Sequence, residues 1–123
     1  MLYNTKCMKI LEKDVLRACR DYLTAKGIFH WRSNNMGTYR GDGKYSFSGL
    51  AGVSDLIAVL PQKVTVDGRE EIFGNILCIE VKSPTGVVSE PQRQFTENIN
   101  SRGGISIIVR SVDELAAELD RFL

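Results

Sequence analysis

Two short, uninterrupted apolar runs, Leu56-Ile57-Ala58-Val59-Leu60 and Ile76-Leu77-Cys78-Ile79, constrain this chain more than any other feature. Each is too short for a buried helix and rich in β-branched residues, so each predicts a buried strand. The first opens directly after Asp55, and the second runs straight into Glu80-Val81-Lys82. Side chains alternate faces along a strand, so Glu80 and Lys82 share the face of Ile76 and Cys78 while Val81 points into the other layer. If Asp55 lies at the matching end of a neighbouring strand, two carboxylates and an ammonium meet at one point. Asp55 and Glu80, with the Val81 carbonyl, form an oxygen donor set suited to Mg²⁺ with a water beside it. Lys82 would hold the water or stabilise developing negative charge. The plainer reading is that strand ends entering solvent often carry charges, and a bare D…ExK pattern recurs by chance.

The flanking segments predict helices around this pair. In residues 6–25, Met8, Leu11, Val15, Leu16, Cys19, Tyr22 and Leu23 fall in one apolar arc at helical spacing, and Gly27 marks a stop. Glu12 falls within that arc, where a carboxylate needs a partner or a cation. Ile28–Arg32 reads as a short strand. Gly41-Asp42-Gly43, between Thr38-Tyr39-Arg40 and Lys44-Tyr45-Ser46-Phe47, reads as a hairpin. The strand 55–60 is expected to end at Pro61, and Asp67-Gly68 to turn the chain towards a strand over 75–82. Ser89, with Pro91 and Gln92 behind it, starts a helix in a capping box, with Phe95 and Ile99 on the Gln92 face. Gly103-Gly104 ends that helix, Ile105–Val109 is a buried strand, and Ser111 caps a last helix carrying Val112, Leu115, Ala116, Leu119 and Phe122. The order predicts one α/β domain over residues 1–123, a mixed central sheet flanked by helices.

Composition excludes several classes. A length of 123 residues with 43% hydrophobic and 25% charged side chains is ordinary for one globular domain. Cys7, Cys19 and Cys78 are odd in number and form no CxxC pair, which argues against a disulfide framework or zinc knuckle and fits a reducing cytoplasm. No apolar stretch reaches membrane-span length, and no secretory leader is evident.

The net charge of +1 conceals an uneven distribution: residues 1–44 hold nine Lys/Arg against four acids, and the remainder seven against eleven. Lys6, Lys9, Lys13, Arg17 and Arg20 form a basic arc beside the apolar one. This is either a solvated helix face or a surface for a phosphate backbone. Arg32, Asn34, Asn35, Arg40 and Lys44 lie in or beside the glycine-rich hairpin, which would track DNA or be simply a flexible flap. His30 is lone and reads as structural. Ser48, Ser54 and Cys7 lack the His/Asp arrangement that nucleophilic catalysis needs.

Gly52-Val53-Ser54-Asp55-Leu56-Ile57, Ile79-Glu80-Val81-Lys82-Ser83, Ser89-Glu90-Pro91-Gln92 and Gly103-Gly104 with the strand Ile105–Arg110 resemble the VRR-NUC branch of the PD-(D/E)XK nucleases. Arg32-Ser33-Asn34-Asn35-Met36-Gly37 is similar to that branch's segment ahead of the catalytic Asp. The resemblance spans nearly the whole chain; each motif is short, and their order and spacing carry it. It departs at Ser54, where the superfamily's name would place a proline. It implies a restriction-endonuclease-like fold with an α-β-β-β-α-β core and divalent-metal-dependent phosphodiester hydrolysis, with Mg²⁺ as cofactor and Mn²⁺ able to substitute. By motif match Asp55, Glu80 and Lys82 are the catalytic triplet, Gln92 the helix glutamine and Glu12 the first-helix acid. A homodimer acting on branched, Holliday-junction-like DNA is a further implication. A non-catalytic DNA-binding module of the same fold, or a nuclease acting on RNA, are the alternatives.

Overall fold

The computed structural model describes residues 9–33, 38–39, 45–46 and 50–123. In chain order the elements are α1 (Glu12–Ala25), β1 (His30–Arg32), β2 (Thr38–Tyr39), β3 (Tyr45–Ser46), β4 (Leu56–Val66), β5 (Arg69–Val81), α2 (Glu90–Ser101), β6 (Ile105–Val109) and α3 (Val112–Leu119). The two apolar runs pair with each other as antiparallel neighbours, Leu56 opposite Ile79 and Leu60 opposite Asn75. Around them the main sheet takes the order β1-β4-β5-β6, with β1 antiparallel to β4 and β6 parallel to β5. This is the mixed α/β sheet flanked by helices that the sequence predicts, consistent with a restriction-endonuclease-like fold. β2 and β3 pair separately, Thr38 with Ser46 and Tyr39 with Tyr45, as the expected hairpin.

Alternation divides the sheet into two faces. Leu56, Ala58, Leu60, Leu77, Ile79 and Val81 bury one face against Val15, Cys19 and Leu23 of α1 and Leu115 and Leu119 of α3. Burying a side chain of that size contributes about 1.5–3 kcal/mol. The opposite face carries Ile76, Cys78 and Glu80, and α2 lies over it: Ile76 and Ile99 both crowd Gly104. The Asn100 amide joins α2 to β6, donating to the Ser106 carbonyl at 3.1 Å and accepting from the Ser106 N–H at 2.8 Å.

Several boundaries differ from expectation. Helix α1 begins at Glu12, not residue 6, because Leu11 is extended and its N–H is taken by the Asp14 carboxylate at 3.3 Å. Residues 9 and 10 therefore stand outside the helix, and residues 1–8 lie outside the described residues. Its other end is the expected Gly27 stop, with φ of 71° and Ile28 N–H bonded to the Leu23 carbonyl at 2.9 Å. Strand β4 does not stop at Pro61 but continues to Val66. The Val59 N–H points at the Phe29 carbonyl, 3.2 Å away, so the nitrogen of Pro61, two residues on, faces the same edge. Partner strand β1 pairs only with residues 56–58, so the missing N–H costs no ladder bond there. Strand β5 accordingly begins early, at Arg69, after a two-residue turn in which Asp67 and Gly68 have φ of 50° and 76°. α3 stops at Leu119; Phe122, placed on its apolar side by periodicity, packs on the core from beyond the helix.

Gly52 fixes how α2 meets the sheet. Its φ is 82°, and a Cβ there would overlap the Pro91 carbonyl and stand 2.7 Å from Gln92 N. Gly27 shares the positive φ but faces open space. Gly27→Ala is therefore expected to cost about 1–2 kcal/mol, the strain alone, and Gly52→Ala substantially more. Urea denaturation of both variants checks this, and equal losses would refute the close approach of the Gly52 loop to α2.

Candidate active site

The β4–β5 register places Asp55, one residue before Leu56, across from Glu80, one residue beyond Ile79. Asp55 is held at two points. Its Oδ2 accepts from the Val81 N–H at 2.8 Å, and its carbonyl accepts from the Ser33 N–H at 2.8 Å, tying the end of β1 to the site. Since a residue's N–H and C=O point to the same neighbour in an antiparallel ladder, the Val81 carbonyl is also directed to the Asp55 side.

Glu80 is only 3% exposed. The Gln92 side-chain N–H donates to its Oε1 at 2.8 Å, and Lys82 Nζ stands 3.7 Å from the same oxygen. Lys82 is itself largely buried, emerging on the Glu80 face as alternation requires. The Glu80 pKa is raised from 4.5 to about 8, first by burial, then by Asp55 through repulsion and hydrogen bonding to the protonated form, with Lys82 opposing and Glu12 adding least. Desolvation and a second carboxylate thus outweigh the one nearby ammonium.

Gln92 serves two elements at once. Its Oε1 accepts from the Ser89 N–H at 2.9 Å and its backbone N–H donates to Ser89 Oγ at 3.3 Å, completing the capping box, while its side-chain Nε2 donates to Glu80. Glu12 departs from the expectation of a core-directed carboxylate. It is exposed at the first position of α1, beyond the buried stripe of Val15, Cys19 and Leu23, and it acts on Glu80 only through its charge.

The basic arc is also divided. Lys13, Arg17 and Arg20 join Arg32 in lining a cavity of about 430 Å³ between α1 and β1. Lys9 borders a different cavity with Ile10, Pro84 and Thr85, because it precedes the helix and loses the helical phase. Lys6, Asn34, Asn35, Arg40, Lys44, Ser48 and Cys7 lie outside the described residues. His30, which reads as structural, holds the Ile28 carbonyl through Nδ1 at 2.9 Å and also borders the basic cavity. A lone histidine gives no local signal of such a neighbourhood. Burial pushes the Cys19 and Cys78 thiols up to about 11, as core thiols. Ser54, 1% exposed, has a hydroxyl without a hydrogen-bond partner among the described residues.

Among the described residues no three His, Cys, Asp or Glu side chains form a self-contained metal cluster. The donors that do converge are two hard carboxylates with a carbonyl directed alongside. That set fits a cation completing its shell with water and substrate oxygens. It does not fit a closed zinc site.

The profile of the VRR-NUC domain matches residues 11–113. The chain belongs to the VRR-NUC family. No curated protein and no solved structure matches it. The match includes Asp55, Glu80, Lys82 and Gln92, and gives the chain a nuclease domain, a hydrolase of nucleic-acid phosphodiesters. No helix among the described residues is long and apolar enough to cross a membrane.

The convergence in this VRR-NUC site has a pH signature. With divalent cations chelated, folded Glu80 keeps its proton to about pH 8, whereas the unfolded carboxyl loses it near 4.5. The folded state binds more protons between those values, so this group's contribution to stability falls as pH rises through the window. The melting temperature of Glu80→Gln minus that of the wild type is expected to grow from pH 5 to 8 in EDTA. A constant difference would show that the folded protein does not raise the Glu80 pKa.

Proposed function

We propose that this protein is a divalent-metal-dependent DNA endonuclease that cuts branched DNA as a homodimer. The observation that supports it best is the convergence of Asp55 and buried Glu80 at one sheet end, with Lys82 beside them. Asp55, Glu80 and the Val81 carbonyl are the ligands we assign to Mg²⁺ or Mn²⁺, with Glu12 acting through water. When bound, the cation supplies charge neutralisation to the phosphate and acidifies water.

The protein's own groups do the rest. Gln92 fixes the Glu80 carboxylate through Oε1, which leaves Oε2 for the site. Lys82 Nζ, next to that carboxylate, donates to the attacking water and to the non-bridging oxygen that gains charge as the water oxygen bonds to phosphorus and the P–O bond to the leaving strand breaks. The backbone N–H of Val81 orients the Asp55 carboxylate.

DNA reaches the site along the α1/β1 cavity, where Lys13, Arg17, Arg20 and Arg32 contact backbone phosphates. Lys9, Asn34, Asn35, Arg40 and Lys44 extend that contact in the same proposal. A second copy is supported by size and by the exposed apolar side chains Val64, Val66, Ile72 and Phe73 on the β4–β5 arm.

Cleavage of labelled single-strand, duplex, flap, splayed-arm and four-way-junction DNA, with an RNA control, tests the reading. Junction cutting is expected with Mg²⁺ or Mn²⁺ and none with EDTA. Asp55→Ala and Glu80→Ala are expected to lose at least about 100-fold in rate while retaining fold and DNA binding. Wild-type cutting by either variant would remove the site assignment, and cutting of RNA alone would move the substrate class. Arg17→Ala and Arg20→Ala should each reduce the slope of log affinity against log salt by about 0.9 for duplex DNA. Unchanged slopes would place the backbone elsewhere. Light scattering at micromolar concentration should give a dimer mass; a fully active monomer would overturn the dimer.

A further inference from the structure

Strands β5 and β6 run parallel with Val81 opposite Val109, so Lys82 and Arg110 leave the same end of the sheet side by side. The Lys82 N–H bonds the Val109 carbonyl at 2.9 Å and carries the pairing one residue further. Beyond that point the chain turns through Ser83–Gly86, closed by the Gly86 N–H on the Ser83 carbonyl at 3.1 Å. Arg110 grips this turn. One guanidinium nitrogen, Nη1, donates to the Ser83 carbonyl at 2.8 Å and the Gly86 carbonyl at 2.7 Å, and approaches the Pro84 carbonyl at 3.4 Å. The mounting of Arg110 is itself fixed. Its backbone N–H donates to Glu114 Oε2 at 2.7 Å, and the Glu114 N–H is capped by Ser111 Oγ at 3.1 Å, so the arginine stands on the first turn of α3.

The turn that Arg110 holds lies against the motif lysine. A Cβ built on Gly86 would stand 3.4 Å from Lys82 Cδ and 3.2 Å from Ser83 Oγ, so the bare glycine backbone packs on the lysine's aliphatic stem. The stem therefore has β5 at its base and the Ser83–Gly86 turn along its side, which leaves Nζ beside Glu80. Without the guanidinium, three carbonyls of a four-residue turn lose their common donor, and nothing else among these bonds fixes where the turn lies.

We propose that Arg110 is a positioning residue for Lys82, acting through the Ser83–Gly86 turn. This rests on the reading of Lys82 as an active-site group, and the experiment separates the two. Single-turnover cleavage and DNA affinity would be measured for Arg110→Met, Arg110→Lys, Gly86→Val and Lys82→Ala. Alongside, the ¹³C-methyl resonance of reductively methylated Lys82 would be recorded by NMR. Arg110→Met is expected to lower the cleavage rate by about 10²-fold, the scale of an ångström-sized misplacement, with DNA affinity unchanged and the Lys82 resonance moved. Arg110→Lys should recover most of the rate, because a single nitrogen makes all three contacts. Gly86→Val keeps those contacts but adds branches to a Cβ already in van der Waals contact with the lysine stem at 3.4 Å, and should lower the rate with the same resonance shift. An inactive Lys82→Ala beside an Arg110→Met of wild-type rate and unmoved resonance would overturn the positioning role. A fully active Lys82→Ala would overturn the reading of the site itself. Should Arg110→Met fail to fold, Gly86→Val decides: a wild-type rate and resonance there would overturn the proposal.

Discussion

Everything in this molecule depends on one ladder, the antiparallel pairing of β4 with β5. Its register does three things together. It buries Leu56, Ala58, Leu60, Leu77 and Ile79 on one face. It sets Asp55 across from Glu80. It also turns the Val81 N–H towards the Asp55 carboxylate. A slip of one residue would send every one of those apolar side chains to the opposite face. The hydrophobic core therefore enforces the register, and the register assembles the site. The polar groups could not do this by themselves, since converging carboxylates repel.

That repulsion shapes the electrostatics. Burial and Asp55 both act against ionised Glu80, and the Lys82 ammonium at 3.7 Å does not balance them. A carboxylate kept only for stability would have a full complement of positive partners or would be replaced by an apolar residue. A strongly shifted acid held by a specific amide and a specific ammonium is characteristic of working sites. The shortfall of positive charge beside Asp55 and Glu80 is what a divalent cation would supply in the proposed reaction.

How much of this could be read from the chain follows from range. Glu80 and Lys82 on one face, Val81 on the other, is a period-two fact carried by adjacent residues, and the structure agrees. The capping box of Gln92 and its placement towards Glu80 are both legible because Ser89 and the Phe95–Ile99 face are near in sequence, and the amide oxygen meets the Ser89 N–H while the amide nitrogen meets Glu80. Lys9 leaves its expected arc because helical phase does not carry past the start that the Asp14–Leu11 bond sets, and Glu12, at the first position of α1, lies beyond its buried stripe. Pro61 reads as a terminator because its tolerance depends on how far β1 reaches, which no local pattern encodes. Arg110 carried no signal at all: its partners at Ser83 and Gly86 come close only through the parallel β5–β6 register.

The same topology separates the site from the surface proposed for association. Asp55 precedes the first residue of β4, Glu80 and Lys82 end or follow β5, and Arg110 follows β6, so all lie at one end of the sheet. The Asp67-Gly68 turn lies at the other end of the β4–β5 arm. At about 3.3 Å per residue, Leu56 to Val66 spans about 33 Å. Two copies joined tip to tip at that turn would hold their sites about two arm lengths apart. Two copies with arms packed side by side would bring the sites within about one arm length. In the proposed dimer the exposed Val64, Val66, Ile72 and Phe73 occupy the half of the arm nearest the turn, so the arms would overlap over that half. The proposed paired cut on two strands of one branched substrate needs sites held at a fixed and limited separation, and overlap of the arms shortens that separation below two arm lengths.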